Sequence, residues 1–322
     1  MIEKTLIEKL LNNDRRSVAR AISIVEKNDS ESAELLKNIY PNVGKAYRIG
    51  ITGPPGAGKS TITNQLAKLF IKEKKTVGII AVDPTSPFTG GALLGDRIRM
   101  SDIGQRNDVF IRSMATRGSL GGLSKKAVDA ADVLDAAGYE MIILETVGVG
   151  QSELDIAQAA DTTMVVLVPE SGDSVQAMKA GLMEIADFFV LNKSDRPGAQ
   201  QAVTAIKTIL SMRGQDDPGI QGWSTEIIQS IASENEGIIE IKNEINWHKN
   251  YLLKTGKFSA NRVKRMKVRI KDIVEEKLRS ELWSEARENS LNLSLEKIAA
   301  GRQGLSPYHI AEEILENFKE HI

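Results

Sequence analysis

The stretch Gly53-Pro54-Pro55-Gly56-Ala57-Gly58-Lys59-Ser60-Thr61 has the residue types and the spacing of a phosphate cradle, the P-loop pattern. Glycines let successive backbone N–H groups turn inward on an anion, and the helix that follows adds a partial positive charge at its N-terminus. Gly53, Gly56, Ala57, Gly58 and Thr61 are therefore expected to line the phosphates. Lys59 is expected to reach the β and γ phosphates, and the Ser60 hydroxyl to ligate Mg²⁺. The flanks agree with this chemistry. Tyr47 to Thr52 is a short β-branched run, and Thr61 to Lys72 repeats apolar residues at helical spacing through Ile62, Leu66, Leu69 and Phe70.

Further polar groups follow other β-branched runs. Asp83, in Asp83-Pro84-Thr85-Ser86-Pro87, and Asp96, in Gly95-Asp96-Arg97, are candidates to hold Mg²⁺ or order its waters; a turn-capping role is the alternative for each. Glu145-Thr146-Val147-Gly148 follows Met141 to Leu144. In P-loop GTPases the acid at this place contacts the Mg²⁺ shell, and the glycine N–H senses the γ-phosphate. Glu145 stands where Asp is more usual, and Val149 where many such enzymes carry the glutamine that orients water. Valine cannot move a proton, so intrinsic hydrolysis is expected to be slow until a partner rearranges the loop and brings Gln151 or another group to the water.

Asn192-Lys193-Ser194-Asp195 follows Phe188 to Leu191. A carboxylate at Asp195 can accept from both N1–H and the exocyclic amine of guanine, an arrangement adenine cannot match. Asn192 can meet the base edge, and the Lys193 stem can lie along its plane. Ser230-Ile231-Ala232 is the candidate for the last base loop. Ile231 precedes Ala232 where a serine is expected, so contact there is assigned to backbone rather than side chain.

These groups need a scaffold that gathers strand ends. Seven apolar β-branched runs alternate with helical stretches between Ala46 and about Asn246: Tyr47 to Thr52, Thr76 to Val82, Val109 to Ser113, Met141 to Glu145, Thr163 to Val168, Phe188 to Leu191 and Thr225 to Ile231. That alternation predicts an α/β fold with a mostly parallel sheet, its ligands beyond the carboxyl ends of the strands. Residues 2 to 40 show three short helical patterns with Asp14 and Ser30 at N-cap positions, closed by Pro41-Asn42-Val43-Gly44. After Gly256 the strand signal is lost. A helical series with interleaved basic residues follows, then a loop near Asn289 to Ser294 and a final helix from Pro307 to Lys319. The expected domains are 1–44, an N-terminal helical extension, 45–250, the nucleotide domain, and 251–322, a helical arm that packs on its own domain or on a second copy.

Composition narrows the classes. The 322 residues carry no cysteine and only His248, His309 and His321, which excludes a disulfide framework and disfavours an all-protein zinc site. A net charge of −1 argues against a mainly electrostatic nucleic-acid binder. No apolar run approaches the roughly 20 residues that span a bilayer, and no targeting segment is evident, so no membrane association and a cytoplasmic location are expected.

The order of motifs resembles the ArgK/MeaB group of GTPases, chaperones for adenosylcobalamin-dependent acyl-CoA mutases such as methylmalonyl-CoA mutase. Beyond the motifs above, the resemblance rests on Val82 to Pro87, Gly90 to Met100, Arg117 to Leu123 and Glu145 to Glu153. It implies that Asp83 and Asp96 are Mg²⁺-associated acids and that the segments holding Asp96 and Glu145 to Glu153 are switches. A third switch, Pro169 to Lys179, would signal to the mutase through Asp173, Gln176 and Lys179. The resemblance also implies a homodimer formed by the C-terminal arm, GTP or GDP as bound nucleotide, and adenosylcobalamin met only through the partner enzyme. Two other readings stand beside it: an ATPase or kinase linked to arginine and ornithine transport, and a metal-insertion GTPase for a nickel enzyme. Asn192 and Asp195 oppose the first through base choice, and the missing Cys and scattered His oppose the second.

Overall fold

The computed structural model of the chain describes residues 3–27, 30–84, 100, 102–116, 122–146, 152–169, 181–213, 222–299 and 306–319. Its β-branched runs are seven strands: β1 (Tyr47–Thr52), β2 (Val77–Pro84), β3 (Val109–Thr116), β4 (Met141–Thr146), β5 (Thr162–Leu167), β6 (Phe188–Asn192) and β7 (Ile227–Ser230). They form one sheet in the order β3-β2-β4-β1-β5-β6-β7, every pairing parallel. The strand carrying the P-loop is thus central, with β4 on one side and β5 on the other, so the carboxyl ends that bear Glu145 and Asn192 lie on the same edge as Gly53.

Parallel strands need crossovers, and helices supply them. They are α4 (Lys59–Lys72), α5 (Gly122–Ala136), α6 (Ser152–Ala159), the short α7 (Leu182–Ile185) and α8 (Ala199–Arg213); α9 (Ile238–Lys254) follows the last strand. Alternate residues of each strand serve opposite faces. Met141 and Ile143 of β4 join the cluster under α4 and α9, while Ile142 and Leu144 join the cluster under α5.

The N-terminal helices α1 (Lys4–Leu11), α2 (Arg15–Lys27) and α3 (Ser30–Ile39) share that second cluster. Leu10, Val18, Ile22, Leu35 and Ile39 are fully buried within it. Asp14 caps α2, its Oδ1 accepting from the Ser17 N–H at 2.8 Å and the Ser17 hydroxyl at 2.6 Å. The chain leaving this region is held by Asp135, whose carboxylate accepts from the N–H groups of Gly44, Lys45 and Ala46 at 2.8, 3.0 and 3.0 Å.

The described chain divides into two compact units, Met1–Arg262 and Val263–Ile322. The long helix α10 (Lys257–Leu282) begins in the first, and the second also holds α11 (Glu285–Ala299) and α12 (Pro307–Lys319). Residues 289–294, expected as a loop, lie inside α11. Asn and Ser cost only about 0.5 kcal/mol each in a helix. Here the Ser294 hydroxyl donates to the Ser290 carbonyl at 3.0 Å. The Arg287 guanidinium also lies 5.0 Å from the Phe318 ring of α12, so tertiary contact overrides the local signal.

Glu244 on α9 is buried among the apolar residues of the α4 and α9 face, with its Oε1 unpartnered. Burial, reinforced by Glu226, raises its pKa above the usual carboxylate value. A raised pKa means that the folded state holds the proton more tightly than the unfolded one, so stability falls as pH rises from about 4.5 through the folded pKa. Glu244→Met is expected to stabilise the first unit by about 1–3 kcal/mol at pH 7, from the usual cost of a buried unsatisfied group. Denaturant melts at pH 5 and pH 8 check it: the gain should be larger at pH 8.

Candidate functional site

The P-loop is shaped by three glycines in the left-handed region, Gly53 at φ 133°, Gly56 at φ 74° and Gly58 at φ 90°. Two of them are also required by space. A Cβ on Gly53 would sit 2.0 Å from the Val166 carbonyl oxygen, and one on Gly58 would sit 2.2 Å from Asn192 Nδ2. The loop feeds α4, which starts at Lys59. Lys59 is buried, its ammonium donating to the carbonyls of Gly53 and Pro54 at 2.7 and 2.8 Å. Thr61 is exposed on the first turn of α4.

At the end of β4, Glu145 is buried and its Oε1 accepts from the Ser60 hydroxyl at 2.5 Å. A hydroxyl and a carboxylate meeting beside a phosphate-type loop form an all-oxygen donor set of the hard-cation kind. They fit the Mg²⁺ that the motif implies. The longer Glu145 side chain, in place of the usual Asp, still reaches the P-loop serine. Next to it, the Thr146 hydroxyl donates to the Thr52 hydroxyl at 2.9 Å and ties β4 to β1 at the mouth of the site. Asp83 lies at the same sheet edge by backbone register, one residue past Val82, which pairs with Thr146. Asp96, Gly148, Val149, Gln151, Asp173, Gln176 and Lys179 lie outside the described residues.

The base end is joined to the phosphate end by Asn192. Its Nδ2 donates to the Ala57 carbonyl at 2.8 Å, and its Oδ1 accepts from the Ser230 hydroxyl at 3.2 Å and the Ala232 N–H at 3.0 Å. One buried amide therefore braces the P-loop, the β6 end and the β7 end. The Ser194 N–H and hydroxyl both donate to the Ser230 carbonyl at 3.1 Å, and Lys193 takes φ 58° to make the turn. This presents Asp195 exposed at the rim, with Ile231 half-buried and Ala232 buried behind it. Asn192 thus braces the site, a role that its motif position alone did not disclose. Sequence reading also missed Thr52, Thr146 and the Ser194–Ser230 pins, because each pairs residues from different strands and leaves no local pattern.

Gly58→Ala is expected to push Asn192 off Ala57 and to strain the loop at φ 90°. Nucleotide affinity should drop about 10–100-fold, the usual result of losing a buried hydrogen bond and leaving its partners unmade. Titration with a fluorescent GDP measures the loss, and circular dichroism checks that the fold is kept.

A family-wide sequence profile described as "Methylmalonyl Co-A mutase-associated GTPase MeaB" matches residues 18–287. The chain belongs to the MeaB family. Consistent with that, a Pyrococcus abyssi protein whose name designates it a GTPase is 46% identical over 310 residues, covering 96% of this chain and 95% of its own. The mouse protein named "Methylmalonic aciduria type A homolog, mitochondrial" is 30% identical over 329 residues, covering 96% of this chain and 78% of its own. The crystal structure titled "LAO/AO transport system kinase" superposes with a TM-score of 0.72 at 28% identity, covering 99% of each chain. Membership makes this a P-loop GTPase fold with a guanine-nucleotide site. No described helix is long and apolar enough to cross a membrane.

Proposed function

We propose that the protein binds and hydrolyses GTP as a chaperone that gates adenosylcobalamin loading, protection or release on a B12-dependent acyl-CoA mutase of the methylmalonyl-CoA mutase type. The brace at Asn192 carries the nucleotide part: it fixes a guanine-reading rim at Asp195 to the phosphate loop through Ala57. The family description and the mouse relative's name support the mutase part.

Lys59 neutralises charge building on the transferred phosphoryl group, while backbone N–H groups of residues 56–60 hold the phosphates. Ser60 and Glu145, with Asp83 and Asp96 as further acids, would hold Mg²⁺, which would supply neutralisation of the phosphate charge. Gly148 would sense the γ-phosphate, and Gln151 would orient water when a partner rearranges that segment. Lys193 and the backbone of Ile231 and Ala232 complete the base pocket.

A homodimer through the arm fits α10, which buries none of its residues. Val263, Met266, Ile270, Ile273 and Leu278 lie 45–66% exposed along it. Lys264, Arg265, Lys267 and Arg269 crowd its first half, which carries no acid, and the second half mixes Asp272, Glu275, Glu276 and Glu281 with Lys271, Lys277 and Arg279. A copy running the other way sets the basic first half against the half that carries the acids.

Competition of labelled GTP by unlabelled ATP and GTP tests the base choice, with GTP expected to win by about 10²-fold or more. Equal competition would favour the transport-linked ATPase or kinase reading. Pull-down from the native cell in each nucleotide state, followed by GTP turnover with the recovered protein, tests the rest. A catch that contains no B12 enzyme in any state removes the mutase reading, and a sedimentation monomer at micromolar concentration removes the dimer.

A further inference from the structure

The short helix α6 starts six residues after the end of β4, the strand that ends at the Ser60–Glu145 contact, and runs away from the phosphate edge toward the opposite end of the sheet. Its seat is tight. Gly50 of β1 has no side chain, and a Cβ there would meet Ala160 Cβ at 3.0 Å and Ile156 Cγ2 at 3.5 Å. Past its far end stands Asp161, buried just before β5 and tied to β1: its N–H donates to the Arg48 carbonyl at 2.7 Å, and its Oδ2 accepts from the Arg48 N–H at 3.0 Å.

The same carboxylate is gripped by Arg262 of α10 in a two-pronged pair, Nε to Oδ1 at 3.0 Å and Nη2 to Oδ2 at 2.6 Å. The remaining guanidinium donors close on the carbonyls of Gly44 at 2.6 Å and Ala46 at 2.7 Å. The plane lies 4.1 Å from the Phe258 ring, which itself stacks on Tyr47 at 6.1 Å. The root of α10 is thereby fastened to Asp161, two residues past the end of α6, at the end of the sheet away from the nucleotide.

We propose that Asp161 and Arg262 form a relay that reports nucleotide state from α6 to the root of α10, Lys257–Arg262, so that this root is held differently with GTP than with GDP. The proposal rests on the guanine-nucleotide reading. Eight helical residues span about 12 Å as a stiff rod, so a displacement of about 1–2 Å at the phosphate end, the usual size of a helix shift in such transitions, is carried to Ala159, two residues before Asp161. A two-pronged carboxylate–guanidinium pair is sensitive to shifts of this size, because both bonds require one plane and one spacing.

Hydrogen exchange on the full chain, with Mg–GDP and with a non-hydrolysable GTP analogue, tests the relay. Amides in peptides covering 257–266 should exchange at rates differing about threefold or more between the two states. In Arg262→Gln that difference should vanish while both nucleotides still bind within about twofold of the native affinity. No difference in the native chain, or a difference that survives in Arg262→Gln, overturns the relay. So does an equal rise in exchange in both states, which marks Arg262 as an anchor only. Should Arg262→Gln lose protection throughout β5 and β6, Arg262→Lys, which keeps the charge without the fork, takes its place: the difference between the nucleotide states must vanish in it too, and one that survives overturns the relay. Fluorescent-nucleotide titration separates the two levels: failure to bind either nucleotide sinks the guanine-nucleotide reading and the relay together, whereas normal binding without the exchange change sinks the relay alone.

Discussion

Replacing Lys59 by alanine is expected to slow single-turnover GTP hydrolysis about 10²–10³-fold, the typical cost of deleting one donor aimed at developing charge in a water-poor site. Lys59 is 5% exposed, and its ammonium is held 2.7 and 2.8 Å from the Gly53 and Pro54 carbonyls, so it is already positioned before any phosphate arrives. That positioning is what makes the loss large, since an ammonium fixed by the loop needs little reorganisation at the moment of transfer. The same variant leaves two carbonyls without their cation, so GDP affinity should also weaken, by about 10-fold or more. Turnover under single-turnover conditions and GDP titration separate the two effects. A Lys59→Ala chain that hydrolyses GTP at the native rate would falsify its assignment to the phosphates.

The other large effect is on acid stability, and it comes from His248 on α9. The ring is buried, its Nδ1 2.8 Å from the Thr162 hydroxyl and its Nε2 3.4 Å from Asp187 Oδ1. Trp223 lies against it with ring centroids 4.8 Å apart, and Thr162 in turn hydrogen-bonds the Tyr47 hydroxyl. Burial pushes the His248 pKa down from 6.5 to about 4; Asp161 pulls against this fall and Lys257 adds to it. The unfolded chain therefore takes up a proton near pH 6.5 that the folded chain refuses until about pH 4. Stability is fully present above pH 6.5 and is lost progressively down to pH 4, by about 3 kcal/mol at 1.36 kcal/mol per unit.

Denaturant melts of the first unit followed by Trp223 emission, at pH 7 and pH 4.5, check this. His248→Gln should lower stability at pH 7 through lost packing, yet remove most of the loss between the two pH values that belongs to this ring. Equal slopes in native and variant chains would show that other groups carry the acid transition.

Much of the site was legible because its parts are local. The P-loop needs contiguous glycines with a lysine and serine at the head of a helix, and Gly53 to Thr61 form that loop and the start of α4. Asn192 to Asp195 stand at the end of a strand, and the alternation of β-branched runs with helical stretches predicts a mostly parallel sheet whose strand ends share an edge; the seven strands pair in parallel throughout. Where local preference was weak, the reading failed. Residues 289–294 look like a loop by composition, but they are helical because packing against α12 outweighs a few tenths of a kcal/mol per Asn or Ser.

By itself, then, the sequence determined a phosphate loop, a guanine-type motif and the sheet that must hold them, because each is a short-range pattern of residue type and period. Only the tertiary structure decided that Asn192 braces Ala57 to Ala232 and that Glu145 meets Ser60. It alone put the N-terminal helices into the core under α5, and tied Arg262 to Asp161 across 101 positions of sequence. Those contacts join segments from different strands and helices. Their partners are chosen by strand order and packing, and neither is written in the spacing of any single segment.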